Sequence, residues 1–230
     1  MKRIGLIGGT TWHSTADYYR LINLMVNERL GGMEYPELSL DSINFGDLVR
    51  NNNANNQSAN EPIIVGAAKR LAASGAQGIA ICANTPHIFA GAIEQETGLP
   101  VVHIAAATSQ AVGASGTHRV GLLGTKVLLA SGIYDAYLSK AGIECLKPTE
   151  DEKDFVHGTI FNELSRGEFT DALRKRYITI INNLRAAGAE GVILGCTEIP
   201  ILFANHEIPI PSFDTTKLHV GSIVEFMVAN

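Results

Sequence analysis

Basic charge and cysteine are both scarce in this chain. Lysine and arginine total 18 against 23 aspartates and glutamates, a net charge of −5 over 230 residues. With no basic run, a nucleic-acid footprint is not expected. Three cysteines, Cys82, Cys145 and Cys196, are too few and too scattered for a disulfide framework. They fit a reducing, cytoplasmic setting. No apolar run reaches the ~18 residues of a membrane span. The start, Met1-Lys2-Arg3 followed by Ile4 to Gly9, runs into Thr10-Thr11-Trp12 and reads as a strand and loop rather than a leader. Zinc spacing and a P-loop are missing, and Gly5-Leu6-Ile7-Gly8-Gly9 lacks the G-x-G-x-x-G register. No metal is expected.

What is present is an alternation of short apolar runs with helical patterns. Arg3–Gly8, Glu37–Phe45, Gly78–Ala83 and Pro100–Ile104 read as strands in the first half. Arg119–Gly124, Ile143–Leu146, Gly191–Cys196 and Ile210–Phe213 read as strands in the second. Several are apolar without alternation, as strands covered on both faces are. Between them, Ser14 is placed as a helix N-cap with Asp17 at the capping-box position, and Gly31-Gly32 ends that helix. The pattern predicts mostly parallel sheets with helices on their faces and functional loops at the strands' carboxyl ends.

The chain also repeats itself. Leu71 to Thr85 resembles Leu184 to Glu198, with Gly75 on Gly188, an offset of 113 (188 − 75). Gly5-Leu6-Ile7-Gly8 echoes Gly121-Leu122-Leu123-Gly124, and Leu99-Pro100-Val101 echoes Ile208-Pro209-Ile210. Two similar α/β domains of about four strands each follow, related by a pseudo-twofold duplication. Their expected limits are 1–98 with about 208–230, and 99–207. Such a pair can hold a substrate between its strand ends. The offset of 113 sets Cys196 on Ala83 and Thr197 on Asn84. Cys196 ends an apolar strand, where ligands are met. Cys82, one residue before Ala83, points to the opposite face and into the core.

Gly-Leu-Ile-Gly-Gly-Thr-Thr-Trp at 5–12, Ala-Asn-Thr-Pro-His at 83–87, Leu-Leu-Gly-Thr at 122–125 and Gly-Cys-Thr-Glu-Ile at 195–199 resemble the aspartate/glutamate racemase family. The resemblance implies two similar domains, no pyridoxal phosphate or other cofactor, and no metal. It implies two cysteines on opposite faces of the substrate Cα, one acting as base while the other acts as acid. Here Cys196 is the second-domain thiol, and Ala83 stands where the first is expected. That departure leaves three explanations: a weak or one-sided enzyme using water, a different single-thiol reaction, or a Cys or Thr to Ala change made to trap a ligand.

By the same resemblance Asn84, Thr85 and Thr197 grip the substrate's carboxylate and amino group. Thr10, Thr11 and Thr125 lie on the loops after the first strand of each half, and Glu198 is close enough to tune the thiol. Arg166 and Arg50 are the candidate cations for the side-chain carboxylate of an acidic substrate. His87 and His219 are read as local hydrogen-bonding residues, and Asn51 to Asn56 as a polar loop. The expected protein is thus a cofactor-independent racemase of aspartate or glutamate, a homodimer without nucleic-acid or membrane partners. The alternatives are a single-thiol relative similar to arylmalonate decarboxylase and a non-catalytic binder of acidic amino acids.

Overall fold

All strand pairings are parallel, and the computed structural model describes residues 1–229. The first half runs β1 (Ile4–Gly8), α1 (Trp12–Leu30), β2 (Leu38–Ser42), α2 (Phe45–Asn53), α3 (Glu61–Ala73), β3 (Gly78–Ile81) and α4 (Ala90–Thr97). The second runs α5 (Ile104–Ala114), β4 (Arg119–Leu123), α6 (Lys126–Ser131), α7 (Ile133–Lys140), β5 (Glu144–Leu146), α8 (Glu150–Asn162), α9 (Asp171–Ala186), β6 (Gly191–Leu194), α10 (Ile199–Leu202), β7 (Ser212–Asp214) and α11 (Thr215–Val228). The sheet orders are β2-β1-β3 and β5-β4-β6-β7. In each, the strand that opens the half lies between the two that follow it.

The unbroken apolar strands are explained by two-sided burial. In β1, Ile4 and Leu6 pack with Tyr18, Ile22 and Val26 of α1 and Val220 and Ile223 of α11. Ile7 joins Ile79, Ile81, Ile64 and Ile93 on the other face. The second sheet repeats this: Val120 and Leu122 meet Val112 and Leu138, while Leu123 meets Val156, Ile180 and Ile181. Each fully buried Leu or Ile contributes roughly 1.5–3 kcal/mol.

The chain divides into two units, Met1–His103 with the last helix from His219, and Ile104–Leu218. Both limits differ from those expected near 98 and 208. The second crossover comes later because β7 stays with β6, with Val192↔Ser212 in register, and only the body of α11 returns to the first core. The fourth strand of the first half is reduced to a single bridge, Ile79↔Val101, flanked by Ile79 N–H to Pro100 O and Val102 N–H to Ile79 O, both 2.9 Å. In the second half Val192 N–H bonds Pro211 O at 2.8 Å. The backbone therefore matches Pro100 with Pro211, two residues beyond the Pro209 of the sequence echo.

Two local expectations change. α1 is capped by Thr11, whose hydroxyl accepts the Ser14 N–H at 3.3 Å. Ser14 is inside the helix, and its hydroxyl donates to the Cys82 carbonyl at 2.6 Å. The asparagine tract is not all loop: Asn51–Asn53 form the last turn of α2, and the Asn60 amide bonds both Asn51 and Asn52. Gly9 is required where it stands. Its φ is +89°, and a Cβ there would land on the Ile43 carbonyl oxygen.

Candidate active site

In the first unit, Cys82 N–H bonds Ile7 O at 2.9 Å, which sets the end of β3 beside the end of β1. The Gly9-Thr10-Thr11 loop and the Ala83-Asn84-Thr85 turn therefore leave the sheet as neighbours. Thr10 is 6% exposed, and its hydroxyl oxygen has no hydrogen-bond partner among the described residues. A buried polar atom left unpaired costs free energy, so its persistence calls for an explanation such as a bound ligand. Thr11 serves its helix as cap, and Asn84 is buried. Cys82 is fully buried among Leu6, Tyr18 and Ala80, and burial pushes its thiol far above its usual pKa. It is core, as its strand parity implies.

The Ala83 turn is held from behind. The His87 ring nitrogen Nδ1 lies 2.8 Å from Ala83 O and 3.2 Å from Asn84 O, so Nδ1–H is the donor. His87 packs against the rings of His103 and His219, at 4.8 and 5.2 Å between centroids. His219 in turn reaches Val102 O through Nε2 at 2.7 Å and the Tyr18 hydroxyl through Nδ1 at 2.8 Å. Burial drives the pKa of His103 and His219 down to about 4, and it holds that of His87 well below the usual histidine value, with the neighbouring histidines adding to it. All three are neutral at physiological pH. His103 was not singled out by the sequence, and its place beside the lone bridge of Val101 is what brings it in.

In the second unit, Gly195 N–H bonds Leu123 O at 2.8 Å, the counterpart of the Cys82–Ile7 bond. This sets Cys196, Thr197 and Glu198 beside Thr125, which caps α6 by accepting the Leu128 N–H at 3.2 Å. The Cys196 Sγ–H donates to Glu198 Oε2 at 3.0 Å, and the Thr197 hydroxyl donates to the same oxygen at 2.8 Å. Glu198 is only 3% exposed. Burial, and then the Glu198 charge, raise the Cys196 thiol well above its ordinary pKa. Cys196 is thus held protonated, with its proton on the bond to the Glu198 carboxylate. Cys145 is a different case: burial pushes it up to about 12, and it lies in the α5–α7 core.

The two candidate cations stand apart in kind. Arg50 is exposed and ion-paired to Asp47 one turn earlier on α2. Arg166 is exposed at the end of the 3₁₀ turn Leu164–Arg166 and enters no ion pair among the described residues. No cluster of three His, Cys, Asp or Glu side chains fit for a metal occurs among the described residues.

A sequence profile described as Asp/Glu/hydantoin racemase matches residues 7–223, nearly the whole chain. The chain belongs to the Asp/Glu/hydantoin racemase family. The crystal structure of a candidate Asp/Glu racemase from Yersinia pestis matches this racemase-family chain with a TM-score of 0.90 and 36% identity, over 100% of both chains. An aspartate racemase homologue from Pyrococcus horikoshii gives 0.82 and 34%, again over 100% of both. A glutamate racemase of Synechococcus is 29% identical over 122 residues, 53% of this chain and 43% of that protein. The family match does not favour the decarboxylase or binder alternatives. No helix of the described chain is long and apolar enough to cross a membrane.

Proposed function

We propose that this family member interconverts the enantiomers of an acidic amino acid, aspartate or glutamate, by removing and returning the Cα proton without a cofactor. The observation that carries the reading is the Cys196 thiol bonded at 3.0 Å to the buried Glu198 carboxylate. At rest this pair presents a proton donor, since the thiol is held protonated. When the thiol must act as base, Glu198 accepts its proton and leaves a thiolate to take the Cα hydrogen. Thr197, donating to the same carboxylate, steadies its charge. The carbanion needs its carboxylate held by donors, a role we assign to Thr10, Thr11, Asn84, Thr85, Thr125 and Thr197. The unpartnered Thr10 hydroxyl supports that assignment. Arg166, outside any ion pair, is preferred over Arg50 for the side-chain carboxylate.

In the two-thiol scheme, position 83 supplies the second acid–base group. Ala83 cannot, so we assign proton exchange on that side to water and expect slow or one-sided turnover. We further propose that the protein works in the cytoplasm as a homodimer. The test is incubation with L- and D-aspartate and L- and D-glutamate in D₂O, following the Cα proton. Exchange with inversion is expected, or exchange of one enantiomer if the enzyme is one-sided. Binding without exchange of either would refute the racemase reading.

A further inference from the structure

The tautomer of a histidine is set by the partners of its two ring nitrogens. At His87 both nitrogens give the same answer. Nδ1 lies 2.8 Å from Ala83 O and 3.2 Å from Asn84 O, and carbonyls only accept, so Nδ1 carries the hydrogen. The residue is 2% exposed, and Nε2 has no hydrogen-bond partner among the described residues, so a hydrogen there would meet no acceptor. The ring is packed against those of His103 and His219, at 4.8 and 5.2 Å between centroids. His219 is itself tied at both nitrogens, to Val102 O and to the Tyr18 hydroxyl. One fixed N–H thus holds two successive carbonyls.

Those carbonyls belong to the peptide bonds that join Ala83 to Asn84 and Asn84 to Thr85. A trans peptide is planar and sets its N–H antiparallel to its C=O. No peptide bond of the described chain is cis. Drawing both oxygens toward His87 therefore turns the N–H groups of Asn84 and Thr85 the other way, toward the front of the turn. Pro86 has no N–H, and the His87 N–H goes back to Asn84 O at 3.1 Å. The turn adjoins the Gly9-Thr10-Thr11 loop, where the buried Thr10 hydroxyl has no partner among the described residues. Successive N–H groups turned to one side make a seat for an anion, and a free hydroxyl beside them adds a donor.

We infer that His87 is a positioning residue, which holds the Ala83 and Asn84 carbonyls from behind and so aims the backbone N–H groups of Asn84 and Thr85 at the α-carboxylate of the acidic amino acid. The inference rests on the proposed function for the identity of that ligand. As Cα loses its proton, the negative charge of the carbanion spreads onto the carboxylate oxygens. Donors already aimed there gain strength in the transition state. His87 should therefore act on kcat more than on KM.

The variants His87→Asn and His87→Gln separate this role from packing. Asparagine carries its N–H₂ on Cγ, as histidine carries Nδ1, whereas glutamine carries it one atom further out. Both lose the ring contacts, so both should melt lower, and by a similar amount. His87→Gln should lower kcat for Cα exchange by about 10²-fold, as misdirecting an oxyanion donor does, with a smaller change in KM. His87→Asn should recover roughly tenfold of that, the worth of one hydrogen bond. Two measurements on the full chain need no turnover. Nitrogen NMR should show His87 as the Nδ1–H tautomer. The Asn84 and Thr85 amide signals should move on addition of L-aspartate or L-glutamate, and move much less in His87→Gln. An Nε2–H tautomer, amides that stay still in the wild type, or equal exchange by the two variants of an active wild type would each overturn the inference. Amides that move without Cα exchange would refute the racemase reading and support this one; exchange with unmoved amides would do the reverse.

Discussion

Replacing Glu198 by glutamine keeps a hydrogen-bond acceptor beside Cys196 and removes the charge. The acceptor oxygen is 3.0 Å from the sulfur. At that separation, an effective dielectric between about 20 and 80 gives a Coulomb term of roughly 1.4–5.5 kcal/mol. Since ~1.4 kcal/mol is one pH unit, the thiol pKa of Glu198→Gln should fall by at least one unit, and by up to about four. The assay is the pH dependence of alkylation by iodoacetamide, with the modified residue identified by mass spectrometry. Cys82 is fully buried and Cys145 is pushed up to about 12, and the mass spectrum separates their adducts from that of Cys196. Racemisation should fall in the same variant, because the amide cannot take the thiol proton. A midpoint unchanged or raised would refute the electrostatic account of the pair. A lowered midpoint with undiminished racemisation would refute Glu198 as proton acceptor.

Other consequences are as direct. Ala83→Cys restores a second acid–base group and should raise racemisation by ~10²–10⁴; no rise in D₂O exchange would show that position 83 does not meet the substrate. His219 titrates near 4 in the fold, against about 6.5 unfolded, so the unfolded chain binds more protons between these values. Stability should therefore decline as pH drops from about 6.5 toward 4, by about 3 kcal/mol for His219. His219→Gln should flatten that decline in urea titrations at pH 7 and 4.5, and an unchanged slope would exclude His219 as its source. Gly9→Ala should cost at least about 2 kcal/mol, combining a left-handed φ with a clash against backbone. A melting temperature equal to wild type would contradict it.

The strands were legible because two-sided burial leaves an unmistakable run of apolar residues, and β1, β3, β4 and β6 each show one. Capping was less legible. Thr11 and Ser14 are both cap-forming types three residues apart, and only the tertiary bond from Ser14 to Cys82 O decides between them. The third echo slipped by two residues for a similar reason. Pro209-Ile210-Pro211 offers two equivalent prolines, and the choice is made by a backbone bond that pattern alone does not contain. Within the site, the adjacency of Cys196 and Glu198 was visible. The burial of the carboxylate, and the sharing of one oxygen by thiol and hydroxyl, depend on how α10 starts after β6. The three-histidine stack gathers residues from three separate segments, and nothing local announces it.

The path of α11 has a consequence for how the molecule is made. The second unit is continuous in sequence, so its sheet and helices can close as soon as they have been synthesised. The first cannot. Val220, Ile223, Val224 and Met227 complete the core around Ile4 and Leu6, and Lys2 N–H bonds Met227 O at 2.7 Å. These contacts join residues more than two hundred positions apart, which are slow to form. The half that leaves the ribosome first is therefore the half that is finished last, and its apolar surface under α11 stays open until then.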